Sequence, residues 1–266
     1  MTRRLGPTLL FALAAVAVFG PFLLHDPNAQ PDPFHLALLP PGPGHWLGTD
    51  QLSRDVLARV VAGARISLSI AGLAVLVSLT VGSAVGLSAG FVGGATDHLL
   101  MRGVDGALAV PRLFYLMLAA AAWDRMPLSA FILILGLTGW FATSRLVRGE
   151  VLRLRREPFV EAAQALGASP ARVILRHLLP NAAGPLLVTA TLAVGDVILL
   201  EAGLSFLGIG VRPPTPSWGG MILEGKDVLA AAPWVSIAPG VAIAATVLAI
   251  HLTGESVRHR LDPRSR

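Results

Sequence analysis

From Ile66 to Thr96 the chain runs without one charged side chain, and most of that stretch is apolar. A run this long leaves few folds open. In water it would expose more apolar surface than a domain can tolerate. In a bilayer it satisfies its backbone polar groups internally as a helix, and roughly 20 such residues cross the hydrocarbon core. The rest of the chain agrees: charged residues make up only 14% of the 266 and mean hydropathy is +0.68, whereas a soluble domain carries about 25% charged residues. The expected fold class is therefore an all-α integral membrane protein.

Six segments meet the length requirement, at about 6–24, 66–90, 104–123, 127–145, 183–205 and 235–254. The third is the weakest, because Asp105 and Arg112 interrupt it; seven positions apart, they would share one helical face and satisfy packing partners. The first follows Arg3-Arg4, as a signal peptide would, but no small-x-small cleavage site follows Leu24, so it reads as a retained helix. The resulting division is a first helix and Pro-rich external loop over 1–65, a five-helix core over 66–254 with a loop at about 146–182, and a tail over 255–266. The first half of the external loop holds six prolines between Pro27 and Pro43 and reads as extended chain. No segment recurs as an internal repeat.

The charges set the orientation. With six crossings, one side receives fourteen arginines (Arg3, Arg4, Arg102, Arg145, Arg148, Arg153, Arg155, Arg156, Arg172, Arg176, Arg258, Arg260, Arg264 and Arg266), the other only Arg54, Arg59, Arg65, Arg125, Arg212 and Lys226. The positive-inside rule makes the first side cytoplasmic, with both termini on it. The net charge of +5 is thereby a membrane-topology signal, and no nucleic-acid partner is expected. The chain has no cysteine, which excludes disulfides and thiolate metal sites.

The long cytoplasmic loop holds a polar, Arg-flanked island, Glu161-Ala162-Ala163-Gln164-Ala165-Leu166-Gly167, continued by Arg176-His177-Leu178-Leu179-Pro180-Asn181. It reads as two short helices and a turn. Pro158 suits a first helical turn, Gly167 a left-handed stop, and Ser169-Pro170 a new N-cap and first turn. Phe159, Ala162, Ala163 and Leu166 fall at i, i+3, i+4 and i+7, an apolar stripe beside Glu161 that could lie in a groove on a partner. The segment resembles the EAA loop of bacterial ABC-importer permeases, with Pro180 in its closing Leu-Pro.

That resemblance extends over roughly residues 45–264. Leu47-Gly48-Thr49-Asp50, Arg54-Asp55, Gly63-Ala64-Arg65-Ile66-Ser67-Leu68, Leu137-Thr138-Gly139-Trp140, Arg145-Leu146-Val147-Arg148-Gly149-Glu150, Glu201-Ala202, Leu204-Ser205-Phe206-Leu207-Gly208, Pro213-Pro214-Thr215-Pro216-Ser217-Trp218-Gly219 and Leu261-Asp262-Pro263-Arg264 are similar to the peptide and nickel permease family, in its six-helix, C-type subunit of dipeptide and oligopeptide importers. Ser53 stands where that family usually has Gly, Trp46 where Pro is common, and His177 at the Ile position of the general EAA pattern. The resemblance implies the type I importer (MetI-like) architecture in the bacterial inner membrane. It also implies a second homologous permease, two cytoplasmic ATP-binding subunits and an extracytoplasmic solute-binding protein as partners. ATP and Mg would sit on the partner ATPases, this chain holding no cofactor and catalysing nothing. Phe159, Glu161, Ala162, Ala163, Gly167 and Pro180 would couple it to the ATPases, Glu161 through a cation on the partner. Di- or oligopeptides would be the cargo, with nickel or another small solute as alternative.

Other residues carry separate expectations. Gly82, Gly86 and Gly90 form a small-xxx-small face for helix packing. Asp196 and Glu201 lie in the fifth span, where a carboxylate must face protein or water, and are candidates for the translocation path; the alternative for each is a structural hydrogen bond to a neighbouring helix. Gly220 to Lys226 has phosphate-loop spacing, but Asp227 replaces Ser or Thr and no strand precedes it. Gly86-Leu87-Ser88-Ala89-Gly90 has hydrolase-elbow spacing without a sheet, so an enzyme using Ser88 and His251 is not expected. His25, His35 and His45 are ten apart in a Pro-rich loop and do not have metal-ligand spacing. A secondary transporter would need midplane ion-coupling residues and matching broken helices in two halves, and the sequence offers no second copy.

Overall fold

The computed structural model describes residues 2–123 and 125–261, with side chains from Leu5 to His259. Asp124 and residues 262–266, which include Asp262-Pro263-Arg264 of the closing string and Arg264 and Arg266 of the charge count, lie outside the described residues. Arg3, Arg4 and Arg260 are described in backbone only.

Ten α-helices follow one another among the described residues: α1 Thr2–Leu23, α2 Val56–Val92, α3 Gly94–Leu108, α4 Arg112–Ala121, α5 Leu128–Leu154, α6 Pro158–Ala165, α7 Pro170–Val173, α8 Leu179–Phe206, α9 Trp218–Gly225 and α10 Trp234–Leu261. A π-helical turn, Ile174–Leu178, joins α7 to α8. Among the described residues, five stretches are long and apolar enough to cross a membrane: Leu5–Leu23, Val56–Val92, Leu128–Leu154, Pro170–Phe206 and Trp234–His259. Counting α3 and α4 together as one broken span brings the number to six.

Helix bounds differ from the sequence expectation, most of all at α2, at the third span and at the end of α5, which runs on to Leu154. α2 starts at Val56, ten residues before the expected span, and its 37 residues make a rod of about 55 Å, well beyond the hydrocarbon thickness. The early start comes from Asp55, whose Oδ1 accepts the Ala58 amide at 2.8 Å and caps the helix. The third span is not one straight helix. α3 and α4 meet at a 78° bend, because Pro111 cannot continue α3 and instead caps α4 in extended backbone (φ −57°, ψ 132°). Asp105 and Arg112 therefore do not share a face. Asp105 pairs with Arg145 at 2.6 Å, while Arg112 donates to Thr138 Oγ1 at 3.1 Å and to the Leu135 carbonyl.

The chain divides into two compact units. The first comprises residues 1–72 and 192–256. Here α1 packs on α10 so closely that a Cβ on Gly6 would lie 2.6 Å from the Leu252 carbonyl carbon. The loop after α1 closes onto α9 through buried charges. Arg54 donates to Asp50 Oδ2 and to Glu224 Oε2, and Arg59 to Glu224 Oε2 at 2.9 Å. Trp234 Nε1 donates to the Thr49 carbonyl at 3.1 Å and Trp218 Nε1 to the Val60 carbonyl at 2.9 Å. His35 and His45 each pair with a carboxylate, Asp32 at 2.9 Å and Asp55 at 2.8 Å; the bond from His35 holds the Asp32 carboxyl below the usual range.

The second unit comprises residues 73–191 and 257–266. Its spine is the second half of α2 lying on α5. A Cβ would sit 2.6 Å from Thr143 Cβ at Gly82, 2.5 Å from the Ser144 carbonyl oxygen at Gly86 and 2.9 Å from Val151 Cβ at Gly90. Gly136 returns the contact, meeting Val77 in the same way. Glycine at these four places lets two backbones approach with little side chain between them. Arg148 grips Asp97 of α3 with two hydrogen bonds, at 2.5 and 2.7 Å, and fixes α3 to α5.

Candidate functional site

The loop between α5 and α8 is built from the residues that the sequence singles out. Beyond α5, Arg155 lies 5.5 Å over the Phe91 ring and donates to the Gly90 carbonyl at 3.1 Å, which ties the exit of α5 to the end of α2. Pro158 stands in the first turn of α6. The helix ends in a Schellman closure: the Ala168 amide donates to the Ala163 carbonyl at 3.0 Å and the Gly167 amide to the Gln164 carbonyl at 2.9 Å, with Gly167 at φ +80°. Ser169 then caps α7, its Oγ accepting the Arg172 amide at 3.4 Å. Pro180 has no N–H for the preceding turn, and the chain passes through the wide π turn before α8; Asn181 Nδ2 donates to the His177 carbonyl at 2.7 Å.

One side chain anchors α6. Val160 is fully buried among Val147, Val151, Leu154, Val173, Leu178, Ala182 and Leu186. Sequence reasoning missed it, because it stands outside the stripe of Phe159, Ala162, Ala163 and Leu166. With Val160 turned inward, that stripe is turned outward: Leu166 is 89% exposed, Phe159 41%, and Ala162 is exposed beside Glu161. Leu175 on the π turn adds a further exposed apolar side chain. Glu161 makes no ion pair among the described residues. The result is a short helix held rigidly from one side, with apolar side chains, two small residues and an unpaired carboxylate on the other.

The two carboxylates of α8 have different surroundings. Glu201 is fully buried; Ser67 Oγ donates to its Oε2 at 3.1 Å and Ser205 Oγ to its Oε1 at 2.7 Å. These are hydrogen bonds of the kind expected for the structural alternative, one of them to the neighbouring α2. Asp196 is exposed and has no hydrogen-bond or ion-pair partner among the described residues. A carboxylate at the bilayer centre costs about 2.5–3.5 kcal/mol on insertion scales, which argues against a lipid-facing position.

The two motif-like spacings take other forms. Gly220 to Gly225 lies in α9, and the Gly220 amide donates to Ser217 Oγ at 3.2 Å. Ser88 donates to the Ala84 carbonyl at 2.8 Å, inside α2.

Known proteins place this architecture. The family model for the binding-protein-dependent transport system inner membrane component matches residues 82–266. The oligopeptide transport system permease protein OppC of Bacillus subtilis is 37% identical over 261 residues, covering 98% of this chain and 85% of the relative. The dipeptide transport system permease protein DppC of Alkalihalophilus pseudofirmus is 36% identical, covering 97% and 84%. A putative peptide transport system permease protein of Brucella suis is 39% identical, covering 98% and 87%. With these matches over nearly its whole length, and with its long apolar helices, the chain belongs to the binding-protein-dependent inner membrane transport components, permeases of the MetI-like fold.

Proposed function

We propose that this chain is the C-type permease subunit of an ATP-driven importer of short peptides. It would work with a second, homologous permease, two cytoplasmic ATPases and an extracytoplasmic binding protein. The observation that carries the reading is the outward stripe of α6. A helix pinned by Val160 and closed by Gly167 transmits a push instead of absorbing it, and its exposed Phe159, Glu161, Ala162 and Leu166, with the half-buried Ala163, have the chemistry of a helix that docks in a groove. The Arg excess on the same side supports a cytoplasmic position for this loop and for both termini. Motion of the ATPases would be passed through α6 and α7 into α5 and α8, rocking the permease pair between inward- and outward-facing states. ATP and Mg would be held by the ATPases, and this chain would do no covalent chemistry. The relatives' names as oligopeptide and dipeptide transport permeases favour peptide cargo.

The test is co-purification from native membranes, with ATPase activity and peptide uptake measured for wild type and Glu161→Arg. The proposal expects a second permease and two ATPases with the wild type, and their loss or uncoupling in the variant. A lone chain that moves solute would overturn it.

A further inference from the structure

Resting on the reading of this chain as half of a peptide path, we propose that Asp196 and His251 form a cation-recognising step in that path, which takes the α-ammonium group of a peptide. Asp196, Leu199, Gly203 and Phe206 follow at i, i+3, i+7 and i+10 on α8, and all four are exposed. A Cβ on Gly203 would meet nothing within 4 Å. This outward stripe thus carries a carboxylate without a counter-cation among the described residues, in a helix apolar enough to cross a membrane.

The stripe on α10 differs. Ile237, Val241 and Leu248 are exposed and wholly apolar, and polarity enters only at His251 and, one turn on, Glu255. His251 lies beside α8 at the level of Asp196: a Cβ on the adjoining Gly195 would come 3.9 Å from His251 Nε2 and 3.5 Å from Ile250 Cγ2, both ordinary contact distances. His251 also has no hydrogen-bond partner among the described residues. An exposed carboxylate and an exposed imidazole therefore stand at one level of two adjoining helices, with Glu255 the next polar group along α10.

Lipid is the wrong neighbour for that pair, and a passing peptide is a suitable one. A dipeptide must carry its ammonium through the apolar zone. A carboxylate along the way supplies the opposite charge, and an imidazole on the adjoining helix supplies a hydrogen-bonding nitrogen.

The chain has no cysteine, so an introduced thiol is the only one it carries, and the wild-type importer treated in parallel sets the background from the other subunits. In membrane vesicles holding the assembled importer, Leu199→Cys is treated with membrane-impermeant methanethiosulfonates, one bearing trimethylammonium and one bearing sulfonate. The thiol should be modified, with the cationic reagent favoured about tenfold, and Asp196→Asn should bring the ratio close to unity. Dialanine uptake should fall about tenfold in Asp196→Asn and be largely retained in Asp196→Glu. No modification at Leu199→Cys would remove both this proposal and the placing of α8 on an aqueous path. Modification without charge preference, or undiminished uptake by Asp196→Asn, would remove ammonium recognition alone. Loss of the second permease from purified Asp196→Asn complex would make Asp196 a subunit contact and overturn the proposal.

Discussion

Ser67 Oγ donates to Glu201 Oε2 at 3.1 Å, joining α2 to α8 across 134 positions of sequence. The same Ser67 oxygen accepts the Trp218 amide at 3.3 Å, and Ser205, donating to the other Glu201 oxygen, accepts the Val211 amide at 3.2 Å. One buried carboxylate thus organises two helices and both ends of the segment that connects α8 to α9. Glu201→Ala strands two hydroxyls in an apolar interior, and hydrogen bonds to charged groups contribute about 1.5–3 kcal/mol each. We expect a loss of about 3 kcal/mol in Glu201→Ala. Glu201→Gln, which can accept at one end and donate at the other, should recover more than half of it. Thermal denaturation of the purified complex in detergent measures both.

Gly86 decides how closely α2 and α5 can approach. The nearest atom to a Cβ there is the Ser144 carbonyl oxygen, at 2.5 Å, and a backbone atom cannot swing aside. Gly86→Ala should therefore separate the helices and cost about 1–3 kcal/mol. Gly149, also helical, has nothing within 4 Å of its Cβ position, so Gly149→Ala should be stabilising by about 0.4–1 kcal/mol through the unfolded chain. If the two alanines behaved alike in denaturation, close packing would not be the reason for glycine at 86.

Ser53 adopts φ +59°, a conformation that L side chains rarely hold. Its hydroxyl partly offsets the strain, accepting the Asp32 amide at 3.3 Å in a fully buried position. Ser53→Gly exchanges about 1–2 kcal/mol of left-handed strain for a hydrogen bond of about 0.5–1.5 kcal/mol and should be close to neutral. Ser53→Val keeps the strain, adds branching and loses the bond. It should destabilise the loop between α1 and α2, read as faster proteolytic cleavage there.

How far the sequence reveals these features depends on the range of the interaction. Charge-free runs, the proline and glycine of α6, and the Ser169 cap are local, and they are read directly from residue types. The glycines at 82, 86 and 90 mark a packing face, but only the structure shows that α5 lies on it. Asp50, Arg54 and Arg59 interrupt hydropathy around the first turns of α2 and so hide them; the pairing of the two arginines with Glu224 of α9 joins residues about 170 positions apart and leaves no local pattern. Val160 is harder still. In a helix of eight residues one valine beside a phenylalanine carries no periodic signal, and only the packed cluster shows which of the two is buried.

Gly167 is where local geometry and proposed function meet. Its φ of +80° permits the Schellman closure, and no atom lies within 4 Å of a Cβ there, so the cost of substitution is conformational and not steric crowding. Gly167→Ala should lose about 1–2 kcal/mol of loop order and keep part of the uptake. Gly167→Val, β-branched at positive φ, should reopen the angle between α6 and α7. Because the spans lie outside this turn, Gly167→Val should still reach the membrane fraction in normal amount while peptide uptake is abolished. Immunoblotting of membranes beside an uptake assay checks both halves. Normal uptake by Gly167→Val would show that the rigid turn is not what carries motion from the ATPases into the permease.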